Sequence, residues 1–114
     1  MSQLIEARII SYLEAETGIP TYAEVPEQNK GSFFVVERIG ARAENYVDTY
    51  IIAVQSYADT LLDAAVLSTI ARHYMEDMIS DPDIASVRFN TDYNFTDTTT
   101  KRYRYQALFD ITEL

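Results

Sequence analysis

Val87-Arg88-Phe89-Asn90-Thr91-Asp92-Tyr93-Asn94-Phe95, followed after a polar turn by Tyr103-Arg104-Tyr105-Gln106-Ala107-Leu108-Phe109-Asp110-Ile111, is the stretch whose reading decides the fold. Val87, Phe89, Thr91, Tyr93 and Phe95 alternate with Arg88, Asn90, Asp92 and Asn94. Tyr103, Tyr105, Ala107, Phe109 and Ile111 alternate with Arg102, Arg104, Gln106 and Asp110. Side chains of a strand point alternately to its two faces, so each run has an apolar side and a polar side. Joined by residues 96–101, the two runs predict a β-hairpin with one face buried and one in water.

The period changes upstream. Across residues 58–79, Ala64, Leu67, Ala71, Tyr74, Met75 and Met78 recur at helical spacing, flanked by Leu61 and Ile70. Ser68, Arg72, His73, Glu76 and Asp77 fall mostly on the opposite side. Ser56 with Asp59 has the spacing of a capping box, Asp63 adds negative charge to the first turns, and Asp81-Pro82-Asp83 ends the helix. Residues 46–55 read as a strand with Tyr50, Ile52 and Val54 on one face and Ile51 and Ala53 on the other. Apolar residues on both faces predict a central position. Residues 33–39 read as a further strand, residues 40–45 as a polar connection, and residues 21–25, stopped by Pro26, as an edge strand. Residues 2–17 form a first helix, with Leu4, Ile5, Ile9, Tyr12 and Leu13 on its stripe, Ser2 as its cap and Gly18-Ile19-Pro20 as its stop. The expected architecture is one α+β domain over residues 1–114, in the order α-β-β-β-α-β-β. It has a mainly antiparallel sheet with two helices on one face.

Composition narrows the chemistry. The chain has no cysteine, which removes disulfides, thiolate nucleophiles and zinc–thiolate sites. Three glycines, Gly18, Gly31 and Gly40, cannot write a phosphate-cradling loop. His73 is the one histidine and falls on the polar side of its helix, so neither a nucleophile–base pair nor a nitrogen-rich metal site is expected. No catalytic, cofactor-binding or metal-ligating residue is assigned, and no cofactor is expected. No run approaches a membrane span, and Met1-Ser2-Gln3-Leu4-Ile5-Glu6 lacks the basic then apolar order of a secretion signal, so a cytoplasmic location is expected. A net charge of −9 opposes nucleic-acid binding, which needs a basic face. Nine tyrosines without a tryptophan suit half-buried strand faces and interfaces.

The one basic cluster is Lys101-Arg102-Tyr103-Arg104. Arg102 and Arg104 are expected on the wet face of the hairpin, close to Arg88, as a contact for a neighbouring subunit more than a strip for nucleic acid. The two loops at the hairpin ends are the other expected contacts, residues 40–45 with Arg42 and Glu44, and residues 96–100 with Asp97 and Thr99.

Several segments in order resemble a known family. Glu24-Val25-Pro26, Phe34-Val35-Val36-Glu37-Arg38, Val54-Gln55-Ser56-Tyr57-Ala58 entering a long helix, Asn94-Phe95-Thr96-Asp97 and Lys101-Arg102-Tyr103-Arg104-Tyr105 are similar to tail-terminator, or tail-completion, minor tail proteins of siphovirus-type phages and prophages. The resemblance runs from about Ile19 to Ile111. It departs after Arg38, where such sequences often carry a Gly-rich hairpin and this one has Ile39-Gly40-Ala41-Arg42-Ala43-Glu44-Asn45. What the resemblance implies is a non-enzymatic virion protein of the tail or neck, assembled in the host bacterial cytoplasm. Its subunits form a ring, a hexamer, that caps the tail tube, stops its growth and offers a docking surface to the head. Tail tube protein and head–tail connector proteins are the implied partners, and DNA passes through without specific binding. Another neck component, a head-completion or head–tail adaptor protein, is the alternative, and a small hydrolytic or ligand-binding α+β domain a more distant one.

Overall fold

In the computed structural model, which describes residues 4–100 and 102–114, helix α1 (Ile5–Thr17) leads through a two-residue strand β1 (Thr21–Tyr22) to the long strands β2 (Phe33–Glu44) and β3 (Val47–Ala58). Helix α2 (Leu61–Asp77) follows, tightened at its end into a 3-10 turn (Met78–Ser80), and strands β4 (Ile84–Asn94) and β5 (Tyr103–Glu113) close the chain. The strands make one five-stranded sheet in the order β1-β2-β3-β5-β4. β1 runs parallel to β2, and every other pairing is antiparallel. This is the expected α+β order, with β3 central.

The core lies between the sheet and both helices. Ile5, Ile9 and Leu13 of α1 and Ala64, Leu67, Ala71 and Met75 of α2 pack on Phe34, Val36, Ile52, Val54, Ala107, Phe109 and Ile111. Ser68, expected on the polar side of α2, is fully buried. With Ala64 and Ala71 it forms a stripe of small residues along the buried side of α2. α1 ends at Gly18, whose φ of 70° is left-handed and whose N–H donates to the Glu14 carbonyl. The cap expected from Ser2 lies outside the described residues.

Several boundaries differ from the sequence expectation, each for a physical reason. β3 runs on to Ala58 because β5 pairs with it as far as Tyr103, so Ser56 is a buried strand residue. Thr60 caps α2 in its place, its hydroxyl accepting the Asp63 N–H at 3.1 Å. Residues 40–45 are no polar connection: β2 continues to Glu44, paired with Val47. The turn is the two residues Asn45 and Tyr46, with φ of 52° and 66°. Positive φ at both central positions defines a type I′ turn, whose twist matches the flanking strands. The first edge strand stops at Tyr22, and residues 23–25 leave the sheet.

Three bulges reshape the faces, one of them at Ala85, an extra residue in β4 between the pairs Ile84–Glu113 and Ser86–Thr112. Ile39 is an extra residue in β2 between the pairs Arg38–Ile52 and Gly40–Ile51. Asn90 is an extra residue in β4 between Phe89–Phe109 and Thr91–Leu108. One inserted residue sends every later side chain to the other face. Thr91, Tyr93 and Phe95 were expected beside Val87 and Phe89. They instead share the helix-free face with Leu108, Gln106 and Arg104, and the alternation breaks at Asn90.

Candidate interaction surface

The helix-free face carries a second, smaller core at the β4–β5 turn end. Phe33, Val35 and Tyr57 are at most 4% exposed, and the rings of Phe33 and Tyr57 stack at 4.7 Å with 13° between their planes. A polar ladder crosses the sheet beside them. The Gln55 side-chain amide donates to Gln106 Oε1 at 2.8 Å, Gln106 Nε2 donates to the Tyr93 hydroxyl, and Arg104 donates to the Tyr57 hydroxyl at 2.9 Å. The Arg104 guanidinium also lies 4.3 Å from the centre of the Phe95 ring and donates to the Phe95 carbonyl at 2.7 Å. Arg102 is turned inward, its side chain 13% exposed. It donates to Asp59 at 2.7 Å and to the Gly31 carbonyl at 2.6 Å, and so ties residues 23–32 to the start of β5.

Arg88 does not meet this cluster. The register sets it opposite Asp110, six residues along β5 from Arg104, about 20 Å at strand rise. Asp110 there accepts from Asn90 at 3.0 Å and lies 3.6 Å from Arg42. Asp97 organises the β4–β5 turn, accepting the N–H groups of Thr99 at 2.9 Å and Thr100 at 3.4 Å. Those donors, led by Thr99, hold its carboxyl below the usual carboxylate range. Thr99 is exposed in that turn, and Glu44 is exposed one residue before the type I′ turn. Lys101 lies outside the described residues. The expected contact residues therefore fall into three groups. Arg102 and Arg104 hold the small core together, Arg42 pairs with Asp110 while Arg88 stands opposite Asp110 in register, and Glu44, Asp97 and Thr99 sit at or beside the two tips. Tyr46, fully exposed at the type I′ tip, was not foreseen; a turn-forming Asn45 just before it is the one local signal.

A network at the β2–β3 tip end ties α1 to the rest. The Arg8 guanidinium bonds Asp81 and Glu113, the latter at 3.0 Å, with Asp83 at 3.9 Å. The Asp83 N–H and then Arg8 hold the Asp81 carboxyl low. No protein-family model and no curated protein matches this chain.

The helix side has a groove of about 450 Å³ between α1 and α2, bordered by Glu16, Ile19, Thr69, Ile70 and His73. His73 is exposed, and its imidazole stands 3.6 Å from Asp77 of the same helix. Among the described residues no three His, Cys, Asp or Glu side chains gather as a metal site, and no helix is long and apolar enough to cross a membrane. The polar chemistry with defined geometry holds the strands, their tips and the helices in place.

Proposed function

We propose that this chain is a subunit of a ring that caps the tail tube of a siphovirus-type phage or prophage, ending tube growth and offering a docking surface to the head, with no catalytic step of its own. Its partners are further copies of itself, the tail tube protein and the head–tail connector proteins, and DNA passes the ring without specific binding. The observation that carries this reading is the placement of the two hairpin tips. The β2–β3 tip follows the pair Glu44–Val47, while the β4–β5 turn follows Asn94–Tyr105, level with Ser56 and Phe34. The tips therefore point to opposite ends of a body 43 Å long and 24 by 23 Å across. A capping ring needs contacts at its two ends, and strands running along the ring axis supply them.

Tyr46 fits such a contact. A fully exposed aromatic in left-handed backbone, where Gly or Asn is the ordinary choice, breaks a local rule at the tip. Buried aromatic anchors dominate interface energies. With tail-tube protein, the chain is expected to form rings visible by negative stain and to shorten the tubes. Tyr46→Ser is expected to fold normally and to cap roughly tenfold or more weakly. A chain that stays monomeric and leaves tube length unchanged overturns the reading. Binding to portal protein with none to tube replaces it by the other neck role.

A further inference from the structure

We infer that copies of this chain join through their sheet edges, the outer side of β4 in one copy hydrogen-bonding to residues 37–44 of β2 in the next, so that the antiparallel sheet runs on across the boundary. The inference rests on the ring reading only for the number of copies and for closure.

Both edges have unused backbone groups. β1 covers β2 only at Phe34 and Val35, and β4 is the last strand on the other side. Among the described residues, the Ile84 N–H donates to the Asp81 carbonyl, and beyond it no backbone or side-chain hydrogen bond reaches the outer side of residues 37–44 or of residues 85–91. An open strand edge is a template for another strand, and proteins that must avoid pairing blunt it with Pro or Lys. Neither edge has one: the prolines are Pro20, Pro26 and Pro82, and the lysines are Lys30 and Lys101. The bulges at Ile39, Ala85 and Asn90 bend the edges but leave regular runs at residues 40–44 of β2 and 86–89 of β4.

The two edges also match in level and direction. Reading across the pairings, Val36 is level with Val54, Ala107 and Asp92; Gly40 with Ile51, Asp110 and Arg88; and Ala43 with Asp48, Glu113 and Ile84. The open part of β2 and the outer strand β4 thus span the same rows of the sheet. β2 and β5 run one way, and β3 and β4 the other. A copy rotated about an axis along the strands therefore presents its β2 antiparallel to β4. Such a head-to-tail contact closes into a ring when the rotation closes and otherwise runs on as a filament.

Charge points the same way. Residues 36–44 carry Glu37, Arg38, Arg42 and Glu44, and β4 carries Arg88 and Asp92, so each edge is neutral in a chain of net charge −9. Copies that repel elsewhere approach each other at little electrostatic cost along these two strips. With the rows aligned, Asp92 lies diagonal to Arg38 of the next copy on the helix-covered face. On the open face Arg88 lies diagonal to Glu37 of the next copy, and also to its Arg42, which Asp110 already neutralises.

Because the chain has no cysteine, a designed pair reports the contact cleanly. Arg42→Cys and Ser86→Cys share one row and one face, through Thr49 and Thr112. On mild oxidation of concentrated protein, the double variant is expected to give a covalent ladder beyond dimers, while each single variant stops at dimers. In the cysteine-free chain, the outward amides of residues 37–44 and 85–91 are expected to exchange at least tenfold more slowly in the multimer than in the monomer. Multimers with no ladder and unchanged exchange at both edges overturn the edge contact and leave the ring standing. Filaments with a ladder and protected edges support the edge contact and overturn the ring. Protein that stays monomeric at every concentration and with tube protein added overturns both.

Discussion

Tyr12 illustrates how a single group joins two elements. The end of α2 tightens so that the Met78 N–H donates to the Met75 carbonyl, and the freed Tyr74 carbonyl accepts the Tyr12 hydroxyl at 2.7 Å. Burial first, then the negative charges of Asp77 and Glu16, push the Tyr12 phenol from 10.0 up to about 12. The folded state therefore keeps a proton that the unfolded chain gives up near pH 10. The resulting stabilisation is complete below that pH and is lost as pH rises through about 12. Tyr12→Phe is expected to lower stability at neutral pH by about 1 kcal/mol, the worth of one hydrogen bond. It should also flatten the fall in stability between pH 10 and about 12. Urea titrations at both ends of that interval check this, and an unchanged alkaline slope would place the sensitive group elsewhere.

At the scale of elements, what could be read from the chain was whatever repeats. Alternation in β4 and β5, the 3.6 period of α2 and the apolar content on both sides of β3 each predicted an element and its place, because burial demands those periods over many residues. Single residues that reset a period were not legible. Nothing in the chemistry of Ile39 or Asn90 marks them as inserted, since a bulge is set by the partner strand's register. The Asn45–Tyr46 turn was missed because its second position lacks the usual Gly. Arg102 read as a surface cation because its partners, Asp59 and Gly31, lie 43 and 71 residues away. The bulge at Asn90 makes a sharp prediction. Deleting Asn90 removes the inserted residue itself, so Thr91, Tyr93 and Phe95 keep their partners on β5 and their face. Only the hydrogen bond from Asn90 to Asp110 is lost, while the Gln106–Tyr93 bond and the stacking of Arg104 on Phe95 are kept. The expected cost is about 1 kcal/mol, read as a lower urea midpoint, with Tyr93 and Gln106 keeping their mutual contact in NMR spectra. A deletion that abolishes the Tyr93–Gln106 contact would show that the strand shifts its register instead of closing the bulge.

The whole molecule behaves as an acidic body with two neutral strips. In the proposed ring, six copies at −9 each would repel strongly if their charge were spread evenly. Association is favoured only where charge is balanced and backbone groups are open. Backbone pairing along the edges is insensitive to salt, whereas repulsion between the acidic remainders is screened over about 10 Å at 0.1 M salt and about 3 Å at 1 M. Salt should therefore strengthen self-association. Between about 0.01 M and about 0.5 M salt, the concentration at which multimers form is expected to fall at least tenfold, as repulsion is screened while the edge contact is kept. Sedimentation velocity over that range measures it directly. A contact that drew its strength mainly from ion pairs, whether the flanking Arg88–Glu37 and Asp92–Arg38 pairs or Arg42 reaching other acids of a neighbouring copy, would give the opposite sign, with multimers dissolving as salt rises. The direction of the salt effect thus separates pairing through the open strand edges from pairing through the exposed arginines.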